Sequence, residues 1–408
     1  MTSIDFRTVR NPSIFEKGQI VPLKSHIAPV ADVARAVRDA LSHPLNFPPF
    51  ASAMVDDDRI AVALDSTLPS LSEVVLGAVD YLLAHQASLE NISVVLSPCC
   101  DTTLQTVRDN LPPHLHQKLA IFVHNPTDPS ELGYLAASAE EALPIYVNRR
   151  LLDADVVLPI SLYHRTDSID YFGIAGIFPL FADAEVMKRC STLTNLGSPV
   201  QSRKRARDAE EAAWLLGTQC IVKILPAGNG QLQQVLAGDP QAVEAALAAD
   251  AAKSLEIDLP QLADLVISEV DGDSNEQTWT NVARALYSAR TAIRTNGAIV
   301  LRTQLQQTPG PSLRRLTSLD AADKIEKQLS KESGLDTLTA SLLSDYLQRV
   351  RIFMQAKLPQ DAVEDLGVGY VADDHQIEKL ITSSQRCLWI PAAQHYVVKC
   401  EASESPPA

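Results

Sequence analysis

Short apolar runs alternate with helix-like segments along the first part of the chain, and this alternation constrains the fold more than any other feature. The runs are Arg59–Leu64, Ile92–Leu96, Leu119–Val123 and Val156–Ile160. The segments between them, such as Leu71–His85 and Leu104–Asn110, repeat apolar residues at helical spacing. Strands that alternate with helices in this way form parallel βαβ units with helices on the faces of the sheet. The sequence therefore predicts an α/β fold.

The loops that follow these runs are the places to look for a functional site. In a parallel α/β sheet, functional loops lie beyond the carboxyl ends of the strands. We therefore expect four loops to gather along one edge of the sheet. They are Asp65–Pro69, Ser97–Thr103, His124–Asp128 and Ser161–Tyr171.

A second series of strands and helices begins near Asp258. The strand-like runs are Leu262–Ser268, Ala298–Leu301, Val350–Met354 and Cys387–Ile390, with a helix predicted over Asn281–Arg294 and a turn at Asn296-Gly297. A chain of 408 residues is also long for one core. We predict an N-terminal parallel α/β domain over 1–257, a smaller Rossmann-like domain over 258–408, and a cleft between them. No G-x-G-x-x-G motif supports a dinucleotide site.

Composition argues against several classes of partner. The net charge of −15 disfavours non-specific binding to nucleic acid or to an anionic membrane. The basic stretch within Ser198–Ala212 has no interleaved aromatic residues, so a solvated connection is favoured over a nucleic-acid site. The N-terminus has no apolar signal region, and the six cysteines form no C-x-x-C pair. We expect a cytoplasmic protein; the sequence leaves its oligomeric state open.

The stretch Pro144–Ile160, PIYVNRRLLDADVVLPI, resembles the segment before the active site of the nickel-pincer lactate racemase family, LarA. Similar but weaker matches are Val222–Asp239, VKILPAGNGQLQQVLAGD, and the predicted helix followed by NGAIVL. The resemblance implies a two-domain α/β fold. It also implies racemase or epimerase chemistry, in which a nickel-pincer nucleotide takes a hydride from the α-carbon of a 2-hydroxy acid and returns it.

The family's site residues transfer only in part. Its D-x-T-R-P loop matches Asp65–Pro69, DSTLP, which keeps Asp65 and Thr67 as substrate-binding candidates but has Leu68 for the arginine. Three further positions follow from the resemblance. Cys99 stands in place of the first catalytic histidine and His164 matches the second. The family's nickel-binding histidine falls at about Cys190 or Ser191, so Cys190 is the candidate metal ligand.

The remaining positions concern the cofactor and the second domain. The lysine that tethers the cofactor falls near Gly176, and Lys188 is the nearest lysine on the chain. The substrate-contacting glutamine and lysine map onto Asn281 and Arg284. The resemblance thus implies a nickel-pincer nucleotide that is not covalently tethered, or otherwise no cofactor.

Each candidate also has a purely structural interpretation. Cys99 could pack at a strand end, Cys190 could be a buried apolar residue, and Arg284 could be an exposed helix residue paired with Asp271 or Asp273. His164 lies in a polar setting that suits function and structure equally. His124 is favoured as a turn residue.

Two hypotheses follow. In the first, the chain is a racemase or epimerase of the lactate racemase type with degenerate positions. In the second, it is a non-catalytic protein that binds a small hydroxy or keto acid. Loss of the lysine, the arginine and one histidine favours the second, while Arg284 favours a retained anionic ligand.

Overall fold

The computed structural model describes residues 13–16, 19–22, 28–137, 143–165, 169, 173–190, 199–228, 230–318, 329 and 336–400. These residues divide into two compact units. The first unit consists of Ala28–Ala227 and Gln231–Asp250. The second unit takes the described residues of Met1–Ile27, Gly228–Gly230 and Ala251–Ala408. Within these described ranges, no helix combines the length and the apolar character that a membrane span requires.

The strands, in chain order, are β1 (Ser13–Glu16), β2 (Gln19–Pro22), β3 (Ile60–Leu64), β4 (Ile92–Leu96), β5 (Ala120–Val123), β6 (Leu132–Ala137), β7 (Pro144–Asn148), β8 (Val156–Leu162), β9 (Ile221–Gly228), β10 (Gln231–Gly238), β11 (Glu256–Leu259), β12 (Ala263–Glu269), β13 (Ile293–Arg302), β14 (Arg351–Gln355), β15 (Gly369–Tyr370), β16 (Arg386–Ile390) and β17 (Val397–Cys400).

The helices are α1 (Val33–Ser42), α2 (Leu71–Ala84), α3 (Asp101–Asn110), α4 (Pro113–His116), α5 (Arg149–Leu152), α6 (Ala184–Cys190), α7 (Pro199–Leu215), α8 (Pro240–Ser254), α9 (Trp279–Ala289), α10 (Pro311–Arg314), α11 (Thr337–Leu347), α12 (Gln360–Glu364) and α13 (Asp374–Ser383).

The first unit is built on a six-stranded sheet in the order β10-β9-β8-β3-β4-β5. The pairs from β9 to β5 are parallel. Every predicted strand of the first series is present. The runs that form β3, β4 and β8 are buried almost throughout, whereas β5 lies at the edge of the sheet and is only partly buried. The parallel α/β architecture predicted from the sequence is confirmed.

The two faces of this sheet have different cores. One face packs against α1 and α2, and its cluster contains Leu64, Leu96 and Ile160. The opposite face is smaller; Ala61 and Ala63 pack there against Phe181. Because successive side chains of a strand point to opposite faces, residues one position after Leu64, Leu96 or Ile160 face the smaller cluster.

The second unit is built on a seven-stranded sheet in the order β15-β14-β13-β12-β16-β1-β2. The pairs from β15 to β16 are parallel, and β1 pairs antiparallel with β16. The chain leaves β12 through α9 to reach β13 on one side, while β16 lies on the other side. The sheet therefore has a topological switch point between the carboxyl ends of β12 and β16.

The structure departs from the sequence-based elements at three places. The N-terminal strands β1 and β2 belong to the sheet of the second unit, whereas the predicted division at 257/258 placed them in the N-terminal domain. Helix α9 ends at Ala289, five residues earlier than predicted from the pattern ending at Arg294. The predicted turn at Asn296-Gly297 lies inside β13, as an irregularity where the pairing with β12 shifts and Asn296 has a φ of 62°.

Candidate functional site

Two of the predicted loops are joined at the carboxyl edge of the first unit's sheet. The hydroxyl of Ser66 lies 2.9 Å from that of Ser97, and the Ser66 amide donates to the same Ser97 oxygen at 2.9 Å. Asp65 is buried, and its Oδ1 accepts hydrogen bonds from the Thr67 amide and hydroxyl at 2.9 and 2.8 Å. The loop after β3 is thus held by its own aspartate and by the loop after β4.

A row of polar residues crosses this edge of the sheet. Ser161 of β8 and Lys223 of β9 are paired in register. The row continues through the residues directly after β3, β4 and β5, whose amides donate to the neighbouring strand at distances between 2.8 and 3.1 Å. In order across the sheet, the row is Lys223, Ser161, Asp65, Ser97 and His124. All of them are buried, with exposed fractions of 2% or 3%.

Lys223 is the cation of this row. Its Nζ donates to the carbonyl oxygen of Leu162 at 3.2 Å. An ammonium group is costly to bury unless hydrogen bonds and opposite charge compensate it. Burial raises the pKa of the Glu244 carboxyl on α8, and the charge of Lys223 acts to lower it. The carboxyl group of Glu244 therefore interacts electrostatically with the buried amine of Lys223.

Gly176 lies against Ser161 and leaves no space for a side chain. It has a φ of +72°, and a Cβ placed on it would stand 2.1 Å from the Ser161 Oγ and 3.4 Å from the Lys223 Nζ. The Ser161 Oγ is buried and has no hydrogen-bond partner among the described residues. An unsatisfied buried hydroxyl costs about 1–3 kcal/mol. The region to which the family's tethering lysine maps therefore has a glycine that cannot be replaced without movement of its surroundings.

His124 is held as a neutral structural residue. Its Nε2 donates to the carbonyl oxygen of Ala182 at 2.8 Å, and its Nδ1 accepts from the Asn148 amide at 3.1 Å. Burial lowers the pKa of His124. Because both ring nitrogens are engaged, its role fits the turn interpretation better than acid–base chemistry.

The two adjacent cysteines differ in reactivity. Burial raises the pKa of Cys99 to about 12, with further contributions from Cys100 and Asp101. For Cys100, burial acts to raise the pKa, but hydrogen bonds with Thr102 and Thr103 hold it below its ordinary value. Cys100 is exposed, and its Sγ lies 2.9 Å from the Thr102 Oγ1. The thiol with the more reactive environment is thus Cys100 and not the catalytic candidate Cys99.

The other candidates of the first unit lie in different settings. Leu68, which replaces the family's arginine, is completely buried in the main apolar cluster. His164 is half-buried and lies two residues beyond the end of β8. Cys190 is buried in an apolar cluster with Ile145 and Phe178, which suits the structural interpretation. The described residues contain no group of three or more His, Cys, Asp or Glu side chains placed to hold a metal ion. The metal role of Cys190 stays a prediction.

In the second unit, Asn281 and Arg284 are in direct contact on α9. The Arg284 Nη1 donates to the Asn281 Oδ1 at 2.7 Å, and the Asn281 Nδ2 donates to the carbonyl oxygen of Glu276 at 2.6 Å. Arg284 is only 8% exposed, so the interpretation as an exposed helix residue is wrong. Most residues of α9 are buried, and Arg284 is one of them.

Glu276 and His395 lie beside this pair and were not indicated by the sequence. The His395 Nε2 is 3.7 Å from the Glu276 Oε1, and both side chains are buried. Burial raises the pKa of Glu276 to about 8, with Asp271 and Asp273 raising it and Arg284 lowering it. Glu276 follows β12 and His395 follows β16, so the pair lies at the topological switch point of this sheet.

Comparison with known proteins agrees with the resemblance of the sequence. Residues 13–164 match the family model of the lactate racemase N-terminal domain. The fold is similar to the lactate racemase apoprotein from Thermoanaerobacterium thermosaccharolyticum, with a TM-score of 0.74 and 15% identity over 95% of this chain and 100% of that one.

A crystal structure of a protein from Thermotoga maritima matches with a TM-score of 0.67 and 11% identity, over 92% of this chain and 100% of that one. No curated protein matches significantly by sequence. At these identities the structural matches show the fold alone. The chain is thus similar to lactate racemase in its fold, and its residues 13–164 match the model of that family's N-terminal domain.

Proposed function

We propose that this protein binds a small hydroxy or keto acid and carries no covalently tethered nickel-pincer cofactor. The observation that carries the second part of the proposal, the missing tether, is the backbone conformation at Gly176. A side chain there would collide with Ser161, so residue 176 cannot present an amine to a cofactor. The described residues near Cys190 are apolar and do not form a metal-ligand set. The residues present therefore do not fit a tethered nickel group.

The environments of Cys99 and His124 support binding over catalysis. Racemisation at an α-carbon needs a group on each face that can accept and return a proton near neutral pH. With its pKa at about 12, the Cys99 thiol stays protonated at neutral pH and is a poor base. His124 has both nitrogens engaged.

A racemase or epimerase is the second candidate, and one observation favours it. His164 follows the carboxyl end of β8, where the family resemblance implies the second catalytic histidine, and its half-buried position leaves it accessible. Chiral analysis of D- and L-2-hydroxy acids after incubation with the protein tests this candidate. If the wild type interconverts the D- and L-acids and His164→Ala does not, the protein is a racemase or epimerase.

Arg284 is the cation that we propose as an anchor for the carboxylate of the ligand. Its guanidinium can donate two parallel hydrogen bonds to a carboxylate, and its contact with Asn281 fixes its direction. Because Arg284 is buried, replacing it will lower the melting temperature of the free protein, so the informative quantity is the ligand-induced shift.

We expect 2-hydroxy or 2-keto acids to raise the melting temperature of the wild type by mass action, more than acetate does at the same concentration. Arg284→Gln should lose this selectivity for hydroxy and keto acids. The control is Arg349→Gln, which removes an exposed arginine paired with Asp345 in the same unit and should respond like the wild type. An Arg284→Gln variant that responds like the wild type, or a wild type that responds to none of the acids, would refute the proposal.

A further inference from the structure

A short chain of hydrogen bonds connects Arg284 to a residue with a buried carboxyl group. The Arg284 Nη1 donates to the Asn281 Oδ1 at 2.7 Å, and the Asn281 Nδ2 donates to the main-chain carbonyl oxygen of Glu276 at 2.6 Å. Glu276 is completely buried, whereas Arg284 is 8% exposed. Glu276 therefore acts on the arginine from within the protein and needs no contact with a ligand.

The Glu276 carboxyl lies where the loop after β12 meets the turn after β16. Gln394 of this turn makes two hydrogen bonds with the main chain of Asp271, at 3.2 and 2.9 Å. In the same contact, the His395 Nε2 lies 3.7 Å from the Glu276 Oε1. The Glu276 Oε2 accepts from the Asp273 amide at 3.1 Å, and Oε1 has no hydrogen-bond partner among the described residues. A buried carboxyl with so little hydrogen bonding favours its neutral form.

The charged and titratable groups around Glu276 come from three segments. Asp271 and Asp273 belong to its own loop, Arg284 to α9, and His395 to the turn after β16. Burial, followed by the charges of Asp271 and Asp273, raises the pKa of Glu276 to about 8, although the Asp273 amide and Arg284 act to lower it. Glu276 thus adds no full negative charge beside Arg284 at neutral pH, but it adds one in more alkaline solution.

We infer that Glu276 is a positioning residue for the Arg284 anchor, whose neutral form permits a ligand carboxylate to bind at Arg284 and whose ionised form opposes it. This inference rests on the proposed function, because it concerns the same anchor. Two negative charges near one cation in a buried setting repel each other strongly. By linkage, a bound carboxylate favours the protonated form of Glu276, and loss of that proton weakens binding by the same factor.

Isothermal titration calorimetry with sodium lactate and sodium pyruvate measures the Kd between pH 6 and pH 10. The carboxylates of both probes and the guanidinium of Arg284 stay ionised throughout this range, so they contribute no pH dependence of their own. The variant is Glu276→Gln, which keeps the shape of the side chain and removes its charge at every pH. The control is Glu364→Gln, which changes an exposed glutamate of the same unit.

In the wild type and in Glu364→Gln, the Kd should rise as the pH passes about 8, by about fivefold or more at pH 10. The rise should not exceed about tenfold per pH unit, because a single proton is linked to binding. Glu276→Gln should match the wild-type Kd at pH 6 and keep that value to pH 10. The neutral isostere thereby rescues binding in alkaline solution, which a purely structural role of Glu276 does not predict.

Proton uptake gives a second readout that needs no variant. A bound carboxylate raises the pKa of Glu276, so binding at pH 8 should take up at most about one proton per ligand. The uptake appears as a difference between the binding enthalpies in Tris and in HEPES, because the two buffers differ in ionisation enthalpy. If Glu276→Gln does not fold, this measurement on the wild type decides the matter.

A Kd that rises with pH equally in the wild type and Glu276→Gln would overturn the inference, as would binding at pH 8 without proton uptake. A Glu276→Gln variant that binds weakly at every pH would also overturn it, since a structural role alone explains that result. The proposed function is tested separately at pH 6, where Glu276 is neutral in the wild type. A wild type that binds neither probe there refutes the proposed function and this inference together, whereas binding with parallel pH profiles refutes this inference alone.

Discussion

At the scale of single residues, Glu276 is a carboxyl group removed from water. It is completely buried, its Oε2 accepts from the Asp273 amide at 3.1 Å, and its Oε1 has no hydrogen-bond partner among the described residues. Gly272 makes the arrangement feasible, because a Cβ there would stand 1.9 Å from the Glu276 Oε2. At neutral pH this carboxyl is held mainly in its protonated form.

The stability of the second unit should therefore fall as pH rises from about 4.5 to about 8. The folded-state pKa of Glu276 is about 8 and its ordinary value is 4.5. In this window the folded state holds a proton that the unfolded state has lost, so the free energy of unfolding decreases by up to ~1.4 kcal/mol per pH unit. Glu276→Gln should remove this component, since glutamine is neutral at every pH.

The measurement is urea unfolding at several pH values between 5 and 8, followed by tryptophan fluorescence. Trp279 and Trp389 are both buried in the second unit and report on it. The control is Glu364→Gln, which changes an exposed glutamate of the same unit. Parallel pH profiles for wild type and Glu276→Gln would contradict the buried, protonated state of this residue.

At the scale of elements, the strands could be predicted from sequence much better than the helix ends. The strands β3, β4, β8 and β16 are mostly apolar, which favours burial on both faces of a sheet. The end of α9 could not be predicted, because the apolar spacing continues past Ala289 into the chain that forms β13.

The strands β1 and β2 join a sheet whose other strands are distant in sequence, and no local sequence pattern predicts such pairing.

The candidate site was predictable only where its residues are close in sequence. Asp65 and Thr67 come together because they share one loop, and Asn281 and Arg284 because they are three residues apart on a helix. Lys223 had a usable signal, namely a charged residue inside an otherwise apolar strand. The pairing of Glu276 with His395 had none, since it depends on two loops brought together by the order of the strands.

An ion pair between Arg302 and Glu269 joins the carboxyl ends of β13 and β12 in the second unit. Arg302 ends β13, and its Nη1 donates to the Oε1 of Glu269, which ends β12, at 2.5 Å. Trp389 of β16 donates to the other oxygen of Glu269 at 3.1 Å. The side chains of Arg302 and Glu269 are only 13% and 19% exposed.

We expect Glu269→Gln to lower the free energy of unfolding of the second unit by about 2–4 kcal/mol, because it leaves the buried guanidinium of Arg302 without its main countercharge. Asp374→Asn is the matched control. Asp374 contacts the same arginine at 3.4 Å but is 42% exposed, and its loss should cost less than about 1 kcal/mol. Equal costs for the two variants in urea unfolding at pH 7 would show that burial does not strengthen this ion pair.

At the scale of the whole molecule, the chain has a lactate racemase-like fold, and the resemblance of the sequence places Gly176 near the lysine that tethers that family's cofactor. The match over residues 13–164 and the structural similarity over 95% of the chain concern the scaffold. Where the resemblance places the tethering lysine, the backbone at Gly176 and the hydroxyl of Ser161 fill the available space. One fold can carry different functions, so the similarity of the scaffold does not by itself assign the activity.

The most direct test of this account is the intact mass of the protein after co-expression with the enzymes that make the nickel-pincer cofactor. Nothing at residue 176 can form a covalent bond to the cofactor, and the nearby Lys223 Nζ is buried. We therefore expect the mass of the unmodified chain. A mass increase equal to one pincer nucleotide, mapped by peptide analysis to Lys188 or Lys223, would contradict the account and favour a racemase or epimerase.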